Sequence, residues 1–151
     1  MSIGVFPNVV FLHTWFFRLF SCIIYSMDRQ KLELRLNSKC ESIWETLAEM
    51  HGKLVRFNPP KIVLDARLWR TAGMCHQPEN LIRMGYKFFL HSENYNRQML
   101  SVILPHEIIH QADFNLFGES EKICGHGKNW RNLMVQYGLE PKKHHTMDIK
   151  R

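Results

Sequence analysis

The chain has 151 residues, 45% of them hydrophobic and 23% charged, and carries a formal net charge of +6. That length fits one domain able to bury a core without staples, and a second domain is not expected. The four cysteines, Cys22, Cys40, Cys75 and Cys124, contain no Cys-x-x-Cys pair, so neither a zinc ribbon nor a disulfide framework is indicated and a reducing, cytoplasmic setting is the default.

Residues 5–25 form an apolar, aromatic run unlike anything after it. A membrane span wants roughly 20 predominantly apolar residues, and Pro7, Asn8, His13 and Arg18 interrupt this one. A secretory signal wants basic residues ahead of its apolar stretch, and none precedes Arg18. The run therefore reads as a leader or misassigned start over residues 1–26, with the domain proper at 27–151 and no stable membrane span. From Asp28 onward Leu32, Leu36, Cys40, Ile43, Trp44, Leu47 and Met50 recur every three or four residues among charged ones. This spacing predicts an amphipathic helix over 28–51, ended by Gly52. Its apolar stripe reads as core.

Asn58-Pro59-Pro60 breaks the chain. Residues 61–69, 72–77 and 81–84 are short runs of strand formers punctuated by Gly73, Pro78 and Asn80, and they predict a small antiparallel three-stranded sheet. Ser92 is placed to cap a helix from Glu93. Pro105 either kinks that helix or opens a new one in its first turn, and Gly118 ends it. A last helical stripe holds Trp130, Leu133, Met134 and Tyr137. The expected fold class is α+β: an amphipathic N-terminal helix, the small sheet, a metal-binding helix and a C-terminal helix, a minimal zincin-like arrangement.

The chemistry concentrates in His106-Glu107-Ile108-Ile109-His110. Residues four apart lie one above the other on a helix, so His106 and His110 can reach one metal ion, with Glu107 toward the same opening. Neutral imidazoles bind zinc at about 2.0 to 2.1 Å, and a catalytic site uses three protein ligands and leaves the fourth position open. The pattern reads as one catalytic zinc ion with Glu107 as general base. Flanking Val102, Ile103, Leu104 and Leu116 make this a core helix, where unpaired histidines and a glutamate would be costly; a metal pairs them.

The extended metzincin pattern wants Gly at 113 and His at 116, and Asp113 and Leu116 stand there instead. A carboxylate ligand from Glu119, Glu121 or Glu140 stays open. His126, between Gly125 and Gly127 at a helix entrance, is the stronger candidate. Asp113 is a candidate to orient a histidine, and Tyr137, His144 and His145 are candidate donors to an oxyanion.

Three segments carry a family resemblance: Leu104-Pro105-His106-Glu107-Ile108-Ile109-His110, Gly125-His126-Gly127-Lys128-Asn129-Trp130, and the upstream Ala66-Arg67-Leu68-Trp69-Arg70-Thr71-Ala72-Gly73-Met74-Cys75. Together they resemble the SprT-like, Spartan-related zinc metallopeptidase domain over about residues 61–134. The resemblance implies zinc held by His106, His110 and His126, water activated by Glu107, and protein substrates that include proteins crosslinked to DNA. The zinc ribbon that many relatives carry has no counterpart here, so DNA contact is expected to be weak and non-specific. Two other classes compete: an adaptor that keeps zinc only for its fold, and a nucleic-acid-binding module that works through its basic residues. The oligomeric state is not legible.

Overall fold

The computed structural model describes residues 10–118, 125–142 and 147, with side chains from residue 28 onward. Its elements run α1 (Val10–Met50), a 3-10 turn (Gly52–Arg56), β1 (Lys61–Asp65), β2 (Gly73–His76), β3 (Leu81–Gly85), α2 (Tyr86–His91) and α3 (Glu93–Gln98). A π turn (Met99–Ile103) then leads into α4 (Leu104–Phe117), and α5 (Lys128–Gln136) follows. The fold is α+β and mostly helical.

The first helix is longer than the expected 28–51, because its backbone crosses Met27 without a break. Side chains 1–27, on which the leader reading depends, lie outside the described residues. Among the described residues no helix is long and apolar enough to cross a membrane. The predicted stripe is real: Leu36, Cys40, Ile43, Trp44 and Leu47 are buried, while Met50 at the helix end is exposed.

The sheet corrects the antiparallel expectation. Its order is β1-β3-β2, with β1 and β3 parallel and β2 and β3 antiparallel. β3 takes the centre because its residues are the most deeply covered, and the chain from β1 must therefore pass over it to lay β2 on the far edge. Ile62, Leu64, Ile82 and Met84 point to the core, alternating with polar or half-buried neighbours as a one-sided sheet requires.

Each outer edge of this sheet faces a different fate. The β1 edge is capped by side chains from α1: Asn37 Nδ2 donates to Ile62 O (2.9 Å) while Asn37 Oδ1 accepts from Ile62 N (2.9 Å). One turn earlier, Glu33 Oε1 accepts from Leu64 N (2.8 Å), and one turn earlier still Arg29 donates to Leu64 O. Four helical residues rise about 6 Å and two strand residues about 6.6 Å. A helix can thus service every second residue of an adjacent strand. The β2 edge instead faces α4.

Ser92 caps α3 as expected, its hydroxyl accepting from Tyr95 N (3.2 Å). The π turn resolves the two readings of Pro105. In an unbroken α-helix the proline ring would collide with the carbonyl four residues back, and the wider turn just before it accommodates the ring while the helix runs on into α4. Gly118 ends α4 with φ of 74°, its N–H donating to Phe114 O (2.8 Å).

Candidate metal centre

α4 is the buried spine of the molecule: Leu104, Ile108, Ile109 and Ala112 are all fully covered. That position forces His106, Glu107, His110 and Gln111 into the interior as well, where they are 1 to 8% exposed. Polar groups so placed must be paired. Gln111 is: its Nε2 donates to Gln77 O (3.1 Å) and to Asn115 Oδ1 (3.1 Å). Gln77 answers by donating from its own Nε2 to His110 O (3.0 Å). The reciprocal pair fastens α4 to the segment after β2.

The histidines are paired by converging. His126 comes in from the entrance of α5, and the three Nε2 atoms of His106, His110 and His126 form a triangle with edges of 3.2, 3.2 and 3.3 Å. Mutual hydrogen bonding cannot fill all three edges, since a neutral imidazole has one N–H to give and each nitrogen faces two others. A shared cation can. Nitrogens bound to a tetrahedral ion at about 2.0 to 2.1 Å stand about 3.3 to 3.4 Å apart, close to the spacing found. The donor set fits a metal ion, and it is the group of metal-competent side chains found among the described residues.

Supporting contacts hold the triangle open for binding. His110 makes a hydrogen bond to the Gly125 backbone, and burial next to His126 lowers its pKa to about 3, so it is a neutral imidazole at physiological pH. Gly125 has φ of +62°, and a Cβ there would lie 3.3 Å from the His110 ring, so the loop needs glycine for both reasons. Trp130 is the floor beneath all three ligands, with ring centroids 4.8 Å from His106, 5.1 Å from His110 and 4.5 Å from His126. In the sequence it stands in a helical stripe and in the Gly125–Trp130 segment of the family resemblance, with no contact to the histidines implied.

Glu107 stands beside the triangle, outside the ligand group. Burial raises its pKa to about 7, partly offset by a hydrogen bond from the Cys75 backbone N–H. The β2 edge presses against it so closely that a Cβ on Gly73 would sit 2.7 Å from Glu107 Cγ. Gly73, which the sequence marks as strand punctuation and as part of the 66–75 family segment, is therefore a site residue because only a glycine leaves room for Glu107. A cavity of about 540 Å³ opens over these groups, lined by the 70–75 segment on one side and the histidines and Glu107 on the other.

The remaining candidates fall elsewhere. Glu140 is exposed after α5 and pairs with Lys142 at 2.8 Å. Glu119, Glu121, His144 and His145 lie outside the described residues. Tyr137 is half-buried and does not line the cavity, while Asp113 is half-buried on α4, one turn after His110.

Comparison with known proteins agrees with this centre. The chain is similar to Protein SprT of Pseudomonas fluorescens, 36% identical over 118 residues that make up 78% of this chain and 67% of that protein. It is likewise similar to Protein SprT of Pseudomonas savastanoi pv. phaseolicola, 34% identical over 119 residues, 78% of this chain and 67% of the relative. With a second Pseudomonas fluorescens relative the match is 35% over 96 residues and spans 55% of that protein, so the chain covers only part of its relatives' length. No solved structure matches. The profile of the SprT-like family matches residues 41–148, which include every residue of the histidine triangle and Glu107, and the chain belongs to the SprT-like family.

Proposed function

We propose that this protein is a zinc-dependent endopeptidase in which His106, His110 and His126 hold one zinc ion and Glu107 is the general base. The observation that carries the reading is the pairing of a three-nitrogen triangle with a carboxyl that is beside it and not part of it. A zinc site that only holds a fold is closed by four protein ligands; among the described residues this one has three, facing a cavity. When bound, zinc would supply Lewis acidity, polarising a scissile carbonyl and lowering the pKa of a water to about 7.

The chain's own residues would do the rest. Glu107, with a pKa near 7, is matched to take a proton from that water and return it to the leaving amine. The Cys75 N–H holds the carboxylate in place during the transfer. Along β2 the backbone groups alternate: Ala72 O accepts from Gly85 N (2.8 Å) toward β3, so those of Gly73 and Cys75 face outward, and with the Cys75 N–H held by Glu107 the Gly73 groups and the Cys75 carbonyl remain for a partner. An extended peptide can add there as a further strand, beside Glu107. This favours loosely folded protein segments, and the net charge of +6 favours proteins carried on a polyanion such as DNA. The test is cleavage of an unstructured protein by the zinc-loaded chain, with and without single-stranded DNA. No cleavage in either condition, with zinc bound, would refute the peptidase reading.

A further inference from the structure

The segment 66–72 between β1 and β2 is anchored at its root and carries two arginines, Arg67 and Arg70. Asp65 Oδ1 accepts from the Arg67 backbone N–H (2.9 Å) and Nε (3.1 Å), while Oδ2 accepts from Arg67 Nη2 (3.0 Å) and Arg83 Nη1 (3.3 Å). From that clamp the chain runs to the mouth of the metal cleft, where Arg70 lines the cavity just before β2. Arg67 has its carboxylate; Arg70 makes no ion pair among the described residues. Its guanidinium lies 4.3 Å over the Trp69 ring instead. Stacking of this kind orients the guanidinium plane and leaves its N–H edge available for a planar acceptor. Among the described residues the acid lining the cavity is Glu107, which is committed to the Cys75 N–H. Among the described residues the cleft therefore offers an oriented cation with no carboxylate paired to it.

We propose that Arg70 determines specificity by binding a carboxylate of the substrate, either an acidic side chain or the chain terminus, two or three residues to the C-terminal side of the cleaved bond. This rests on the peptidase reading above. Gly73 and Cys75 flank Glu107, so the bond to be cut lies level with them. Antiparallel pairing is the stronger arrangement for an added strand, and it carries the substrate's C-terminal side toward the start of β2, where Arg70 stands. Three residues of extended chain span at most about 10 Å. That matches two or three substrate residues. Because the guanidinium is stacked on the residue before it in the chain, the anchor lies at the far end of this span.

Extended peptides provide the test, aligned on the bond that wild type cuts or, where it cuts none, scanned with the carboxylate at successive positions. Each is made with Asp or Asn at the second or third position on the C-terminal side, and, in a truncated set, with a free or amidated terminus at that place. Zinc-loaded wild type should show a KM about three- to ten-fold lower for the carboxylate member of one set, identifying its source. The preference should vanish in Arg70→Gln, persist weakly in Arg70→Lys and invert toward a Lys-containing peptide in Arg70→Glu. Fluorescence anisotropy with zinc-loaded Glu107→Gln protein reads the same preference as affinity, without turnover. Equal affinities for every carboxylate and neutral pair, or a preference unchanged by Arg70→Gln, would overturn the assignment. A preference that needs Arg70 in this binding measurement, in a protein whose wild type cuts nothing, would support the carboxylate site and sink the peptidase reading alone.

Discussion

Glu107 is a carboxyl group stored where water cannot stabilise its charge, and the cost shows in both function and stability. In the metal-free protein its pKa is about 7 against an ordinary 4.5, so the folded state holds the proton more tightly than the unfolded chain does. Its contribution to stability is therefore present below about pH 4.5 and is lost as pH rises toward 7, an effect of about 3 kcal/mol. His110 works in the opposite sense: its pKa falls from 6.5 to about 3, so it costs stability as pH drops through that window. Comparing wild type with Glu107→Gln cancels the histidine and isolates the glutamate. Stripped of metal, Glu107→Gln should be the more stable protein at pH 8 and equal to wild type near pH 4, as read from urea midpoints. Loaded with metal, it should keep the ion and lose peptidase activity by orders of magnitude. Greater stability of metal-free wild type at pH 8 would show that the carboxylate is not desolvated. The shared placement of His106, Glu107 and His110 on one buried helix was legible because four-residue spacing on a helix is a local fact. Trp130 and Gly73 stood out only through the family resemblance, and what each one touches is supplied by the fold.

At the scale of elements, the two edges of the small sheet divide protection from function. β1 is closed by Arg29, Glu33 and Asn37, whose i, i+4, i+8 spacing looks in the sequence like the solvent face of an amphipathic helix. Nothing local announces that a strand lies beneath it. Asn37→Leu would leave the buried Ile62 without side-chain partners for its N–H and carbonyl, and should cost about 2 kcal/mol in urea unfolding. Leu34→Gln, at an exposed position on the same helix, should stay within about 0.5 kcal/mol. Equal effects of the two would mean that the cap is ornamental. β2, the open edge, is constrained by closeness: Gly73→Ala places a methyl 2.7 Å from Glu107 Cγ and must push the base aside. Metal content should survive, while turnover falls about a hundred-fold, the scale expected for a misplacement near 1 Å. Normal turnover in this variant would separate the edge strand from the catalytic geometry. Strand direction eluded the sequence for a related reason. The antiparallel expectation assumes that successive strands pair, whereas burial of β3 draws it between β1 and β2 and makes the β1–β3 pair parallel.

For the whole molecule the histidine triangle, once it holds an ion, would also be a fastening. His106 and His110 come from the central helix, but His126 follows the 119–124 segment and stands at the entrance of α5, so one ion held by all three would join two parts of the chain that covalent geometry leaves apart. α+β composition and the third histidine could be read from residue patterns. That all three nitrogens meet within 3.3 Å over Trp130 is a product of the folded whole. Metal affinity and folding are then linked, because the unfolded chain offers no preformed triangle. An ion present at a thousand times its Kd adds about 4.1 kcal/mol, which for a chain of this size raises Tm by roughly 8 to 16 °C. Chelation should remove that increment from wild type and from Glu140→Gln, whose carboxylate is spent on Lys142. His126→Ala should lack the increment from the outset and retain little zinc on metal analysis. Normal zinc and an intact thermal shift in His126→Ala, with both lost in Glu119→Gln, Glu121→Gln or Glu140→Gln, would replace the third histidine with a carboxylate ligand and refute the triangle as the metal site.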